Sequence, residues 1–363
     1  MTSSPSRLCV TLPRRARVPE DGTRSPRRLT HPFVSGDARA VRTLLSILFA
    51  LLAASCDCGG ASSDTPARRT IAVIPKGTTH IFWRAVHAGA ERAGDELGVE
   101  ILWQGPQRED DRAAQIRVVE DMITRRVDAI VLAPLDATAL VPVATEASRE
   151  GIPVVVFDSG IEWDGRVSFV ATDNRAAGAL AAERMGALLE GRGRVIVLRY
   201  QEGSDSTTQR EAGFLETIAR RFPNIEIVSS NQYGGATTES AYQTAENLLV
   251  RFTELDGVFT PNESTSFGML RALSDANRAG QVKLVGFDSN EALIAGLREG
   301  RVHGLVLQSP ERMGELAVRT AVARLNHEPV EARIDTGATM VTRENMDQPE
   351  IRRLLSPDLS VLQ

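Results

Sequence analysis

At 363 residues the chain is long enough for two domains, and 42% hydrophobic residues with a formal charge of −5 fit ordinary globular protein. Residues 1–42 carry nine Arg and three acids, a net of +6, which leaves −11 for the rest and argues against a nucleic-acid-binding body. All three cysteines, Cys9, Cys56 and Cys58, precede residue 60, so the body has no disulfide, no thiolate metal site and no cysteine nucleophile.

In chain order, residues 1–40 are rich in Arg and Pro and show no sustained periodicity. Arg42 then precedes an apolar run from Leu44 to Ala54, closed by Ser55-Cys56. A basic residue, a short apolar core and small residues follow the layout of an export signal. The run is shorter than the roughly 20 residues a membrane-spanning helix requires. Val41 is an alternative start, giving a compact signal beginning Val41-Arg42-Thr43. We therefore expect a signal region over 1–55 and a flexible Gly- and Ser-containing tether over 56–69. Ala53-Ala54-Ser55-Cys56 also resembles a bacterial lipobox. That resemblance implies lipidation of Cys56 and a chain anchored to a membrane of the cell envelope without spanning it.

From Thr70 onward, strand-like and helix-like patterns alternate. Strand-like runs fall at 70–74, 99–103, 128–132, 153–157, 194–198, 225–229, 256–259, 282–287 and 304–308. Helical stretches fall at 79–97, 109–126, 137–150, 173–190, 207–221, 237–251, 263–278, 290–299 and 310–327. Small residues at helical spacing (Ala85, Ala88, Gly89, Ala93) predict that the first helix packs closely on a sheet. So many units exceed one simple sheet, and two doubly wound parallel-sheet lobes fit better. The join is expected at Ser168–Asp173, a strand leading out into a new helix.

Four apolar runs end in a polar side chain: Val154–Ser159, Val258–Glu263, Leu284–Ser289 and Leu305–Ser309. Uninterrupted apolar runs suit strands covered on both faces, and open α/β sheets bind ligands beyond the carboxyl ends of such strands. Asp158, Asn262, Asp288 and Gln308 are thus placed where a small polar ligand would lie.

The ordered motifs Ile71-Ala72-Val73-Ile74-Pro75, His80-Ile81-Phe82-Trp83, Phe157-Asp158-Ser159, Ala171-Thr172-Asp173-Asn174, Arg210–Phe214, Asn262-Glu263, Val285–Asp288 and Gln308-Ser309-Pro310 carry a family likeness. The stretch from about 70 to 340 resembles periplasmic sugar-binding proteins of the ribose-binding type, substrate-binding components of ABC transporters. Their periplasmic binding protein-like I fold also forms the core of lactose-repressor-type regulators. The resemblance implies two lobes joined by three hinge crossings, with the ligand held between them. It places 70–172 plus 309–335 in the N-terminal lobe and 173–308 plus 336–363 in the C-terminal lobe. It implies hinge closure on a monosaccharide or polyol, a closed form recognised by a membrane permease, a monomer, and no cofactor.

The residue chemistry agrees. Carboxylates and amides make directional hydrogen bonds to hydroxyls, and an aromatic face packs on a sugar ring. Asp158, Asn262, Asp288 and Gln308 supply the first, Phe82 and Trp83 the second, and Arg210 would donate to a ligand oxygen. Alternatives stay open: helix caps for Asp158, Asp288 and Asn262, a hinge bond for Gln308, core packing for one aromatic, and pairing with Glu211 or Asp205 for Arg210. His80 and Ser159 stand where the ribose-type pattern has Asn and Arg, and Ala133 where it has Asn. Those departures point away from ribose itself toward another pentose or hexose. Pro75-Lys76 resembles binding proteins for rhamnose and furanose-type autoinducers, which makes Lys76 a further candidate contact.

The histidines show no metal-ligand spacing, and Gly77-Thr78-Thr79 lacks the spacing of a phosphate loop, so an enzyme is not expected. No helix-turn-helix precedes the body, which disfavours a transcription factor. An exported domain presenting a sugar or furanose signal to a chemoreceptor or sensor kinase remains the alternative to transport.

Overall fold

The apolar runs form two six-stranded sheets in the computed structural model, which describes residues 68–363. The expected signal region 1–55, the start at Val41, lipidation of Cys56 and the tether up to residue 67 lie outside the described residues. The first sheet takes β1 (Thr70–Ile74), β2 (Glu100–Trp103), β3 (Ala129–Leu132), β4 (Val154–Phe157) and β5 (Ser168–Ala171). The second takes β6 (Arg192–Arg199), β7 (Asn224–Tyr233), β8 (Gly257–Phe259), β9 (Lys283–Phe287) and β10 (Gly304–Gln308). Then β11 (Arg333–Asp335) returns to the first sheet and β12 (Ala338–Val341) to the second.

The orders are β11-β5-β4-β3-β1-β2 and β12-β10-β9-β8-β6-β7, so each lobe repeats the same doubly wound path. Every pairing is parallel except that of β10 with β12. β11 and β12 were not legible as strands, because they are short, partly exposed and carry no apolar run.

Helices cover both faces of each sheet. They are α1 (Ile81–Leu97), α2 (Arg112–Arg125), α3 (Val141–Arg149), α4 (Asn174–Leu188), α5 (Asp205–Arg221), α6 (Thr238–Arg251), α7 (Glu263–Asp275), α8 (Glu291–Glu299), α9 (Pro310–Leu325) and α10 (Pro349–Leu355). Alternate residues of β1 feed opposite cores: Ile71 and Val73 join Val86, Met313 and Ala317 of α1 and α9. Ala72 and Ile74 join Val119, Met122 and Val143 of α2 and α3. The second lobe repeats this, with Val195 and Val197 facing α4 and α5, and Ile196 and Leu198 facing α6 and α7.

The chain passes between the sheets after β5, after β10, and between β11 and β12. Two of these passages are tied together, since Thr172 Oγ1 lies 3.3 Å from Thr336 Oγ1 and donates to the Gly337 carbonyl at 3.2 Å. The C-terminal segment divides. Ile351 and Leu355 pack in the second core, whereas Asp358 N donates to Glu311 Oε1 at 3.0 Å and its carbonyl accepts from Arg92, both of the first lobe.

Small residues in α1 serve helix-on-helix packing as well as the sheet expected from their spacing. A Cβ at Gly89 would stand 1.9 Å from the Glu311 carbonyl oxygen of α9, and one at Gly314 2.1 Å from that of Val86. The second lobe repeats the device: a Cβ at Gly178 would stand 2.0 Å from the Arg210 carbonyl oxygen, and one at Gly213 2.0 Å from that of Arg175. In an isolated helix Gly→Ala gains about 1 kcal/mol, but overpacking costs about 1–3 kcal/mol, and a backbone oxygen has no rotamer by which to yield. Gly178→Ala should therefore lose up to about 2 kcal/mol in urea unfolding, since the clash outweighs the propensity gain. A gain in stability would show that α4 and α5 separate freely.

Candidate functional site

The carboxyl ends of the two sheets face each other across a cavity with about 350 Å³ of atom-free space, part of it open to solvent. The first lobe lines it with Lys76 beyond β1, with His80, Phe82 and Trp83 at the start of α1, and with Asp158 after β4. The second lobe contributes Arg210 of α5, Asn262 before α7, Asp288 after β9 and Gln308 at the end of β10. These nine expected residues meet in one place. Ser159 does not join them: its Oγ accepts the Ser206 N–H at 3.1 Å, so it ties the first lobe to the start of α5 instead of lining the cavity.

Asp158 and Asp288 occupy equivalent positions, each directly after a Phe that ends a central strand. Both have left-handed backbone, with φ of 59° and 60°. Asp adopts this region more readily than most side-chain-bearing residues. Their amides still extend the sheets, donating to the Val170 and Val306 carbonyls at 3.0 Å. Neither caps a helix. Asn262 does cap one: its Oδ1 accepts from Thr265 N at 3.3 Å and Thr265 Oγ1 at 2.6 Å, which ties up much of its acceptor capacity.

The buried cations are held by geometry. Lys76 Nζ lies 3.3 Å from Asp158 Oδ2 and donates to Ser204 Oγ at 3.2 Å and Ser206 Oγ at 3.1 Å, both in the opposite lobe. Arg210 donates to Asn174 Oδ1 at 2.8 Å and the Pro261 carbonyl at 2.9 Å, and its guanidinium lies 4.6 Å from the centre of the Phe287 ring. It pairs with neither Glu211 nor Asp205: Glu211 takes Arg199 at 2.5 Å, and Asp205 accepts the Gly160 N–H. Asp288 sits 3.9 Å from Arg210 and accepts from Gln308 Nε2 at 2.9 Å. Burial raises its carboxyl, opposed by Arg210 and Gln308.

Glu109 was not singled out in the sequence, yet it organises one wall. Its carboxylate accepts from Trp83 Nε1 at 2.6 Å and from Tyr200 Oη at 2.6 Å, and lies 2.8 Å from His80 Nδ1. Tyr200 belongs to the second lobe, so this hub also spans the cleft. Burial works against its ionisation, but His80, Tyr200 and Trp83 together hold the carboxyl at about 2. His80 is likewise opposed by burial, yet Glu109, Glu263 and Asp288 bring it to about 9. Ser206, Thr207 and Glu263 complete the lining. The carboxyl-end rule extended to β2 and β6 would have drawn attention to the loop holding Glu109 and to Tyr200. Thr207 and Ser206 precede Arg210 by about one helical turn.

Arg112 adds rim contacts, bonding Asp136 at 2.8 Å and the Glu202 carbonyl of the opposite lobe at 2.7 Å. Among the described residues, no cluster of His, Cys, Asp or Glu has the arrangement of a metal site. The site is a paired-lobe cleft of hydrogen-bonding groups with an aromatic wall.

Comparison with known proteins gives consistent matches. A family model described as a periplasmic binding protein domain matches residues 71–329. The D-ribose/D-allose-binding protein of Pseudomonas aeruginosa is 30% identical over 294 residues, covering 78% of this chain and 91% of that protein. An ABC transporter solute-binding protein from Agrobacterium vitis with bound D-fucose is 37% identical, with a TM-score of 0.76 over 79% of this chain and 99% of that one. A carbohydrate transporter solute-binding protein from Agrobacterium radiobacter in complex with D-arabinose is 33% identical, with a TM-score of 0.77 over 80% and 100%.

His80 and Glu109 each contribute to the pH dependence of stability. His80 lies above its usual 6.5 in the folded protein, so its contribution is complete below pH 6.5 and is lost as pH rises through about 9. Glu109 lies below its usual 4.5, so its contribution is present above that pH and lost as pH falls toward about 2. The melting temperature should decline between pH 6.5 and 9, and His80→Gln should flatten that decline. An unchanged slope in the variant would remove His80 as its source.

Proposed function

The chain belongs to the periplasmic binding protein family, in its ribose-binding-type branch with the type I fold, and on that basis we propose that it captures a monosaccharide or similar small polyol between its lobes and delivers it to an ABC-type permease. Family membership puts it among binding proteins of the bacterial envelope and not among enzymes. Residues 42–56 would export it, and Cys56 would carry the lipid that keeps it at the membrane.

The observation that carries this reading is the mixture of donors and acceptors from both lobes around one cavity. A sugar offers several hydroxyls, each able to donate and accept. Asp158, Asp288 and Gln308 would take hydroxyl protons, Asn262 only with the capacity its cap leaves, while Lys76, His80 and Arg210 would donate to hydroxyl or ring oxygens. Phe82 and Trp83 would cover an apolar ring face. Because the contacts come from both lobes, ligand would favour the arrangement in which the lobes meet, by its differential affinity for it. The permease would then read a surface that exists only when the lobes are together. The lobe boundaries 70–172 plus 309–335 and 173–308 plus 336–363 are the working division for that motion, with the last residues forming a further tie to the first lobe.

The sugars bound by the relatives supply the panel. In a thermal-shift assay with D-arabinose, D-fucose, D-ribose and D-allose, at least one ligand at 100 times its dissociation constant should add about 2.7 kcal/mol of stability. Asp288→Ala should abolish that shift. No shift with any monosaccharide or polyol would reject sugar capture, and retained affinity in the variant would remove Asp288 from the contact set.

A further inference from the structure

Glu263 is the first residue of α7 and lines the cavity beside Asn262. Its Oε1 accepts a long hydrogen bond from Asn290 Nδ2 at 3.4 Å, while its Oε2 is buried without a hydrogen-bond partner. The other buried side-chain polar atom left without a partner among the described residues is Gln308 Oε1, which lines the same cavity. Buried polar atoms are nearly always paired, and leaving one unpaired is costly, so two such oxygens on one cavity mark where a bound molecule makes its bonds.

The charges narrow the chemistry of that molecule. Each cation lining the cavity already stands by its own carboxylate: Lys76 by Asp158 at 3.3 Å, His80 by Glu109 at 2.8 Å, and Arg210 by Asp288 at 3.9 Å. Glu263 is the lining carboxylate with no cation within salt-bridge distance among the described residues. No lining cation is left over for an anionic substituent.

We infer that Glu263 is a specificity-determining ligand contact, whose Oε2 bonds one hydroxyl of the bound sugar while Gln308 Oε1 bonds another. The inference rests on the sugar reading above and adds to it a residue and a selection rule. Burial, opposed by His80 and reinforced by Asp288, raises the Glu263 carboxyl to about 7, so both protonation states are populated near neutral pH. A hydroxyl suits both states because it donates to the carboxylate and accepts from the acid. A carboxylate or phosphate brings negative charge to a site whose cations are already paired. The site therefore selects a neutral sugar and rejects its acid and phosphate counterparts.

Calorimetric titration of the full chain tests this with D-arabinose, D-fucose, D-ribose and D-allose against D-galacturonate and ribose 5-phosphate. The tightest ligand should be a neutral sugar. Its affinity should fall about tenfold in Glu263→Leu and stay within about threefold in Glu263→Gln, which keeps both an acceptor and a donor. One monodeoxy analogue should bind wild type about tenfold more weakly than its parent, yet bind Glu263→Leu as well as the parent does. Should Glu263→Leu not fold, Glu263→Ala carries the same arm. Unchanged affinity in Glu263→Leu, a deoxy series with no such loss, or tighter binding of the acid or phosphate would each overturn the inference. A neutral sugar that binds wild type and the Leu variant alike overturns this assignment alone. Wild type that binds no sugar overturns the cleft reading and this inference with it.

Discussion

A charge taken out of water between two lobes must find a partner there, or it costs several kcal/mol. That requirement shapes the cleft, because Lys76, Asp158, Arg210, Asp288 and Glu109 are all buried at the meeting of the sheets. Several of their partners come from the opposite lobe: Ser204 and Ser206 for Lys76, and Tyr200 for Glu109. Bringing the lobes together thus adds hydroxyl hydrogen bonds to ion pairs that each form within one lobe, Lys76 with Asp158, His80 with Glu109 and Arg210 with Asp288. Glu263 and Gln308 retain unpartnered atoms at that meeting point, and there ligand chemistry would complete what the protein leaves unfinished.

The same geometry is built twice. Phe157-Asp158-Ser159 and Phe287-Asp288-Ser289 each end a central strand and turn through a left-handed Asp. Each lobe has a helix pair brought close by reciprocal glycines, α1 with α9 and α4 with α5. In the second lobe this affects the site directly. The glycine contact at Gly178 falls on the backbone of Arg210, so helix separation and guanidinium position are mechanically linked. The aspartates differ in their partners all the same. Asp158 faces a lysine that also bonds across the cleft, whereas Asp288 faces an arginine anchored within its own lobe. Duplicated topology therefore gives two walls of unlike chemistry.

How much of this was legible follows from range. Strands such as Val154–Phe157 and Leu305–Gln308 announce themselves by local apolar runs, and the polar residues that end them by adjacency. Glu109 was not legible, because it follows the partly exposed β2 and owes its role to His80, Trp83 and Tyr200, brought near by tertiary packing. β11 and β12 escaped for a related reason: a three- or four-residue edge strand needs a neighbour to define it, and its own composition is not distinctive.

The sequence by itself determined the two-lobed α/β class, the polar carboxyl-end positions and the aromatic pair, since strand periodicity and residue type act over a few neighbouring residues. Only the tertiary structure decided which of those side chains are spent within the protein. Asn262 caps α7, Ser159 ties the lobes together and Trp83 Nε1 serves Glu109, while Glu263 Oε2 and Gln308 Oε1 stay available. Hydrogen-bond capacity is finite and angle-dependent, so what remains for a ligand is a difference between what a side chain offers and what its neighbours take. Thr265, which Asn262 caps, is a local neighbour, but Ser206 and Glu109 are distant in the chain, and their demands are met only once the tertiary structure brings them near.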